Sequence, residues 1–471
     1  MKRSEIILWI MVAVALAANI WLPKHLQPKY SWERDLSQRY AADFNKTADE
    51  VKEYISKYIP DATDAQIQAW TESGKLESME IGRRTMYFHN AGPNLFRIVP
   101  ELKAIKDSVD NKPDGLTGHQ AIDSAVIPAI KATVNSALAG KPLSPGRVHS
   151  RSAAAEYVQG TTALPKRMRV KFSLTVPVNT VKAGSTLRCW LPYPRQDAAR
   201  QTEVKFIEAG VDSTAYPDGS ITFSDPSCAH SSLYMEAKAN RYHDVTFYEV
   251  FEYTSAGEWH PIDSAAVKEY DTQADEYKEY TSERESHILF TDRIKALADS
   301  LSEGITNPYL QAKAFYTWID SNIPWASARE YSTIDNIPEY VLSSGHGDCG
   351  QKTLLLMTLC RYKGIPARWQ SGLMMHPGDK NLHDWCELYF EGYGWVPVDQ
   401  SFGITPYGGY FYLGGIDPYR MVVNNDFGRS FSPEKKYPRS DTVDFQRGEV
   451  EWDGGNLYYN QWSYSFQVEY L

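Results

Sequence analysis

The residues best suited to carry chemistry in this 471-residue chain are concentrated in one segment, residues 341–402. Gly345 and Gly347 predict a tight turn in front of Cys349. The apolar run 353–360 predicts a helix directly behind that cysteine. A cysteine at a helix start faces unsatisfied N–H groups and the positive end of the helix dipole, which favour thiolate over thiol. We therefore interpret Cys349 as a candidate nucleophile.

Two predicted strands follow this helix and carry the other two groups that a thiol nucleophile needs. Residues 382–390 contain His383, and residues 395–399 end at Asp399. A thiol, an imidazole and a carboxylate on neighbouring elements form the nucleophile, base and orienting group of covalent catalysis. The sequence therefore predicts Cys349, His383 and Asp399 as catalytic residues.

These motifs, taken in order, resemble the transglutaminase-like superfamily. The resemblance lies in Gly347-Asp348-Cys349-Gly350, in His383 placed 34 residues later, and in Gly394-Trp395-Val396-Pro397-Val398-Asp399, whose Asp399 lies 16 residues after His383. It implies a papain-like core, covers residues 264–402 and takes in the helix at 307–322, which precedes the core. It also implies that Cys349 is the nucleophile, His383 the base and then the acid, and Asp399 the orienting group. We predict no cofactor and no metal.

The resemblance implies a mechanism but leaves the acceptor of the acyl group open, because members cross-link glutamine to lysine, hydrolyse amides or remove N-glycans. We expect an exported thiol enzyme that forms a thioester and hydrolyses peptide or amide bonds, much like a cysteine protease. Its partners would be peptide, protein or glycopeptide substrates. The alternatives are a protein cross-linking enzyme, a glycopeptide amidase and, in another class, a non-catalytic binding or scaffold protein. The net charge of −10 argues against nucleic-acid binding.

Three other interpretations concern metal binding and the oxyanion. His346 with Cys349, and His383 with Cys386, have the spacing of zinc ligands, but a strand sends His383 and Cys386 to opposite faces. Trp325 is a candidate second oxyanion donor, although packing in the core is the interpretation we favour. Four tail residues suit either calcium or turns, and we favour turns: Asp417, Asn424, Asn425 and Asp426.

The remaining pattern predicts an α+β chain of several domains. Residues 31–138 are expected to form a helical region, and Gly140–Ser152 a linker. Alternating apolar residues from Met168 onward predict a β-sandwich domain over residues 163–256. Residues 264–471 are expected to form the catalytic domain, in which a helix packs on an antiparallel sheet that the tail completes.

The N-terminus has the pattern of a targeting segment. Lys2 and Arg3 precede an uncharged apolar run, so residues 1–18 are expected to be a signal peptide that directs the chain to the periplasm or outside the cell. If it stays uncleaved, the same segment would anchor the enzyme in a membrane. Export makes the five cysteines informative, because an odd number leaves one unpaired. Cys189 and Cys228 are candidates for a disulfide.

Overall fold

The computed structural model describes residues 36–110, 119–139, 161–212, 214–215 and 220–471. The predicted signal peptide at 1–18 and the predicted linker at 140–152 lie outside these residues. Among the residues described, none of the helices has the length and apolar character needed to cross a membrane. Helices and antiparallel sheets both occur throughout, which confirms the α+β fold class.

Residues 36–110 form a small helical unit, called the N-terminal unit below. Its elements in chain order are α1 (Ser37–Asp43), α2 (Ala48–Ser56), α3 (Asp64–Glu72), β1 (Ser78–Ile81), β2 (Arg84–Tyr87), α4 (Ala91–Ile98) and α5 (Pro100–Val109). Thr47 and Thr63 each close a capping box, which satisfies free N–H groups at the starts of α2 and α3. Phe44, Ile55 and Leu95 belong to the unit's own buried core.

The next helix, α6 (His119–Ala137), belongs to a different part of the molecule. Its apolar side carries Ile127, Ile130 and Val134, which are fully buried in the core of the region predicted to be catalytic (residues 275–424, called the catalytic region below). The helical region expected over residues 31–138 is therefore divided between two cores. The reason is the apolar stripe of α6, which packs against the catalytic region and not against the N-terminal unit.

Two antiparallel sheets share one core in the middle of the chain. They begin with β3 (Thr162–Val176), β4 (Thr186–Pro192), β5 (Gln201–Val211), β6 (Thr214–Ala215), β7 (Ile221–Phe223), β8 (Ser232–Lys238) and β9 (Val245–Trp259). Alternation along β3 buries Met168, Val170 and Phe172 between the sheets, because successive side chains point to opposite faces. Three strands from the end of the chain join them: β15 (Glu449–Trp452), β16 (Gly455–Leu457) and β17 (Ser463–Tyr470). The first sheet has the order β17-β3-β9-β5-β6 and the second β16-β15-β4-β8-β7.

The catalytic region follows as helices packed on one sheet. Its elements are α7 (Asp275–Thr281), α8 (Asp292–Leu301), α9 (Pro308–Asn322), α10 (Ile337–Ser344), α11 (Cys349–Tyr362), β10 (Ala367–His376), β11 (Asp379–Phe390), β12 (Gly394–Val398), β13 (Gly415–Ile416) and β14 (Arg420–Asn424). The sheet is antiparallel, in the order β12-β11-β10-β14. Helix α11 is buried along nearly its whole length and packs on β10 and β11.

The tail beyond β14 differs from the expectation that it completes the catalytic sheet. Its strands are β15 (Glu449–Trp452), β16 (Gly455–Leu457) and β17 (Ser463–Tyr470). Strand β15 pairs with β4 and β17 pairs with β3, so both extend the sandwich. The aromatic rings explain the choice of partner, because Phe172 stacks on Tyr464 and Phe466 with ring centroids 6.0 and 6.2 Å apart.

Candidate active site

Cys349 is the first residue of α11. Asp348 caps the helix, since its carboxylate accepts a hydrogen bond from the backbone N–H of Gln351 at 3.0 Å. The side chain of Gln351 accepts the N–H of Asp348 in return at 3.2 Å, which completes a capping box. The cap fixes where the helix begins. It therefore holds the half-buried Cys349 in the first turn, as the sequence predicts.

The surroundings of the thiol work against the thiolate that its helix position favours. The Cys349 sulfur lies 3.4 Å from Oδ2 of Asp384. Burial, together with the carboxyls of Asp384 and Asp348, holds the pKa of the Cys349 thiol well above its usual range. A helix terminus contributes only about 0.3–1 kcal/mol, which burial beside two carboxyls outweighs. The resting nucleophile is therefore a neutral thiol, contrary to the expectation from sequence.

His383 and Asp399 are brought together as the sequence predicts. Nε2 of His383 and Oδ2 of Asp399 lie 2.7 Å apart, and both side chains are buried. Burial lowers the pKa of His383 despite the opposing effect of Asp399. Burial alone would raise the pKa of Asp399, but His383 and Arg420 more than offset it and lower that pKa. The pair at rest is therefore a neutral imidazole held by a carboxylate.

Asp384 lies between Cys349 and the pair formed by His383 and Asp399. Because neighbours on a strand point to opposite faces, Asp384 faces the start of α11 while His383 points away from it. Gln446 joins the two residues, since its amide donates to the backbone oxygen of His383 at 2.7 Å and to Oδ1 of Asp384 at 2.5 Å. Among the hydrogen bonds of the described residues, the Cys349 thiol bonds to Asp384 and none joins it to His383.

A buried arginine, not anticipated from the sequence, completes the surroundings of Asp399. Nη1 of Arg420 donates to the same Oδ2 of Asp399 at 2.7 Å, and its Nε donates to Oδ2 of Asp417 at 2.8 Å. Asp417 also lies 3.0 Å from Nε2 of His376. The turn expected at Asp417 is present, since its carboxylate accepts the N–H of Tyr419. Its full burial and ion pair with Arg420 show a second role that the turn pattern does not reveal.

A cavity of about 280 Å³ opens beside the thiol. Its walls come from distant parts of the chain and include Asn90, Trp325, Glu330, Cys349, Asp384 and Asp444. Trp325 is 40% exposed, so the interpretation of this residue as core packing was wrong. The guanidinium of Arg97, from the N-terminal unit, lies 5.2 Å from its ring centre. The N-terminal unit therefore helps to build the site, although the sequence assigned it no role.

The cysteines and possible metal ligands form no further centre in the part of the chain that the structure describes. Within residues 36–110, 119–139, 161–212, 214–215 and 220–471, no cluster of three or more His, Cys, Asp or Glu side chains is arranged to hold a metal ion. Cys386 is buried, and burial raises the pKa of its thiol well above the usual range. All five cysteines are free, so Cys189 and Cys228 do not pair.

Residues 295–400 match the profile of the transglutaminase-like superfamily. The matched segment contains all three predicted catalytic residues. Over 133 residues the chain is 29% identical to YebA, an uncharacterised protein of Bacillus subtilis, a match that covers 24% of this chain and 18% of YebA. Over 160 residues it is 26% identical to an uncharacterised protein of Haemophilus influenzae, covering 28% and 41% of the two chains. The chain thus spans less than half the length of either relative.

Two solved structures align with larger parts of the chain. A protein from Cytophaga hutchinsonii, described as a presumed cysteine protease, aligns with a TM-score of 0.43 and 15% identity over 66% of this chain and 92% of its own. A presumed protease from Parabacteroides distasonis aligns with a TM-score of 0.19 and 12% identity, over 56% and 68% of the two chains. The likeness to the superfamily lies in residues 295–400.

Proposed function

We propose that the chain is a thiol enzyme that transfers the acyl group of an amide through a thioester at Cys349, with water as the acceptor. The observation that carries this proposal is the buried His383–Asp399 pair at 2.7 Å, in which His383 lies on β11, a strand that packs on the helix begun by Cys349. A carboxylate at one imidazole nitrogen fixes the ring and stabilises the imidazolium that forms during catalysis. The proposed substrates are peptides, proteins or glycopeptides.

The proposed reaction uses the imidazole nitrogen that Asp399 leaves available. With Nε2 held by the carboxylate, Nδ1 takes the proton of the Cys349 thiol while the sulfur bonds to the amide carbon. The carbon–nitrogen bond then breaks, and the imidazolium gives its proton to the leaving amine. Water next adds to the thioester, its proton passes to His383, and the carbon–sulfur bond breaks to release the acid and the thiol. Asp384 lies beside the thiol and Asp399 holds the imidazole, so these transfers require the ring of His383 to move toward the sulfur.

Export is part of the proposal. An aqueous exterior supplies water at high concentration, and that supports hydrolysis over transfer to an amine. The targeting pattern at residues 1–18 supports a location in the periplasm or outside the cell.

An amine acceptor is the second candidate, because carboxyl groups line the cavity beside Cys349. Asp384, Asp441 and Asp444 are among its walls. Burial raises the pKa of Asp441 to about 7, and burial also raises the pKa of Asp444. Ionised carboxylates attract a cationic amine, so transfer to an amine would gain on hydrolysis above about pH 7 as Asp441 loses its proton.

The test begins with a screen of peptide, glutaminyl and glycopeptide amides, with and without a dansylated primary amine. Wild-type protein should release the acid, and mass spectrometry of quenched reactions should find the acyl group on Cys349. Cys349→Ala should abolish turnover, and His383→Ala should lower it nearly as far. Asp399→Ala should be milder, and the double variant of His383 and Asp399 should add little, because groups that act as one unit are not additive.

Cys360→Ala is the matched control, since Cys360 is a fully buried thiol farther along the same helix and does not line the cavity. It should retain turnover and acylation. Wild-type turnover by folded Cys349→Ala protein would overturn the proposal. Binding of these compounds without any turnover would favour the scaffold class, and capture of the dansylated amine in place of water would favour cross-linking.

A further inference from the structure

Five buried groups form a continuous chain that extends well beyond the proposed triad. In order, they are His383, Asp399, Arg420, Asp417 and His376. Successive contacts measure 2.7 Å, 2.7 Å, 2.8 Å and 3.0 Å. Four of the five side chains are fully buried, and His383 is 6% exposed. The arrangement is two His–Asp pairs joined through one guanidinium.

The five-residue network carries a net charge of minus one when both imidazoles are neutral. Arg420 and His383 outweigh burial and lower the pKa of Asp399, and Arg420 does the same for Asp417. Both carboxylates are therefore ionised and share a single guanidinium, which leaves one negative charge. One imidazolium would neutralise the network. A buried charge without a partner is costly. The network therefore stabilises the state in which one of the two histidines is protonated.

We infer that Arg420 is a positioning residue for the reaction proposed above: it holds Asp399 against His383 and, with Asp417, leaves the network short of one positive charge, which the imidazolium supplies. The inference rests on the proposed function, because it concerns the base of that reaction. Arg420 is anchored for this role by three features. Its Nε and Nη1 each bind one carboxylate, its guanidinium lies 4.2 Å from the ring centre of Phe402, and the same Phe402 ring contacts His383 edge-on at 5.3 Å.

Arg420 also explains why the resting histidine is a free base. An aspartate whose charge is unshared draws a proton onto its histidine even at rest. Here Arg420 offsets part of the attraction of Asp399 for a proton on His383. Removing Arg420 would leave two buried carboxylates without their shared guanidinium, and the pKa of His383 would rise. Removing the charge of Asp417 has the opposite effect, since Arg420 would then fully offset Asp399.

Other titratable and charged groups around the network stay in place in both changes. They are Lys352 on α11, Tyr316 on α9, Asp123 on α6, Arg200 before β5, Tyr253 on β9, Cys386 on β11, and Tyr412 and Tyr419 near β13 and β14. These groups are present in the wild type and in every variant, and Asp123 among them titrates because its pKa is raised by burial to about 6. Opposite changes in the Arg420 and Asp417 variants therefore distinguish the five-residue network from the response of a single neighbour.

The test measures the charge of His383 directly in the full chain. Histidine is labelled with nitrogen-15, the ring signals of His383 are assigned with His383→Gln, and the ring is titrated by NMR. Arg420→Met should move the titration midpoint of His383 upward by about 1 on the pH scale or more, and Asp417→Asn should move it to lower pH. Arg420→Lys, which keeps one positive charge, should stay close to the wild type. Arg361→Met is the matched control, because Arg361 is a buried arginine whose partners are Ala367 and Ser282, outside this network.

The second readout is the pH profile of kcat/KM on an amide identified by the substrate screen. The acid limb should follow the NMR titration. If the midpoint of His383 rises by about 1 on the pH scale, Arg420→Met should lose about tenfold in kcat/KM on that limb and recover at high pH. If Arg420→Met does not fold, Asp417→Asn provides the test, because it should move the titration midpoint of His383 and the acid limb to lower pH.

Two results separate the inference from the proposed function. Titration of His383 that is unchanged in both variants, or that moves in the same direction in both, would overturn the inference. A different result would overturn the proposed function. If the NMR titrations change as predicted but the acid limb of kcat/KM does not follow them, His383 is not the base.

Discussion

Glu249 in the middle of β9 is the clearest site at which the structure carries a stability cost. Its side chain is fully buried between the two sandwich sheets. Neither carboxylate oxygen has a hydrogen-bond partner among the described residues. Burial raises the pKa of Glu249 well above its usual range. We therefore predict that Glu249→Met, an apolar replacement of similar length, stabilises the protein.

The magnitude has two parts. Leaving a polar group buried without a partner costs about 1–3 kcal/mol, and this part is gained at every pH. The second part depends on pH, because a carboxyl whose folded pKa is raised contributes most below its unfolded pKa and loses stability as pH rises toward the folded pKa. That loss is about 1.4 kcal/mol per pH unit, and it begins near 4.5, the usual glutamate value. The gain from Glu249→Met should therefore grow as pH rises from about 4.5.

Urea denaturation at a series of pH values, followed by tryptophan fluorescence, measures both parts. Glu252→Met on the same strand is the matched control, because Glu252 accepts hydrogen bonds from Arg167 and Arg169 at 2.7 and 2.6 Å. These arginines lower the pKa of Glu252. Its contribution is present above the usual glutamate pKa and is lost as pH falls, so this control should destabilise the protein near neutral pH.

Two results would refute the reasoning about Glu249. A lower free energy of unfolding for Glu249→Met at neutral pH would mean that the carboxyl has a favourable partner in the folded protein. A gain that does not change as pH rises from about 4.5 to neutrality would mean that folding does not raise its pKa.

Three further predictions concern the site and its surroundings. Asp384→Asn should lower the pKa of the Cys349 thiol by removing a neighbouring carboxyl, so iodoacetamide should label Cys349 at lower pH than in the wild type; an unchanged profile would contradict this. Asn94→Ala should weaken the docking of the N-terminal unit by about 1–3 kcal/mol, because the Asn94 amide makes hydrogen bonds of 2.8 and 3.0 Å with the backbone of Ser327. Hydrogen exchange at the Ser327 amide should become faster. Unchanged protection would show that these bonds do not hold the unit. Protein from the native host should begin near Ala18, and N-terminal sequencing that finds Met1 would indicate an anchored form.

Much of the catalytic region could be predicted from local pattern. The helix begins at Cys349 because Asp348 caps it, and the Asn307 cap likewise starts α9, where its side chain accepts the N–H of Leu310 at 3.1 Å. Capping and turn chemistry act over three or four residues, so the sequence displays them directly. The approach of His383 to Asp399 could also be expected, because His383 lies on β11 and Asp399 directly follows β12, the strand joined to β11 by a short turn.

The sequence by itself determined the elements, their order and the superfamily motifs, because hydrophobic period and capping are local properties. Only the tertiary structure decided that Asp384 meets the thiol and that Arg420 shares Asp399 with His383. It also decided that β17 joins β3, a strand about 300 residues earlier in the chain. These are contacts between residues far apart in sequence, and their formation depends on which surfaces remain to be buried once the elements exist. A buried charge such as Arg420 looks like any surface arginine in the sequence, because its burial and its partners arise only from packing.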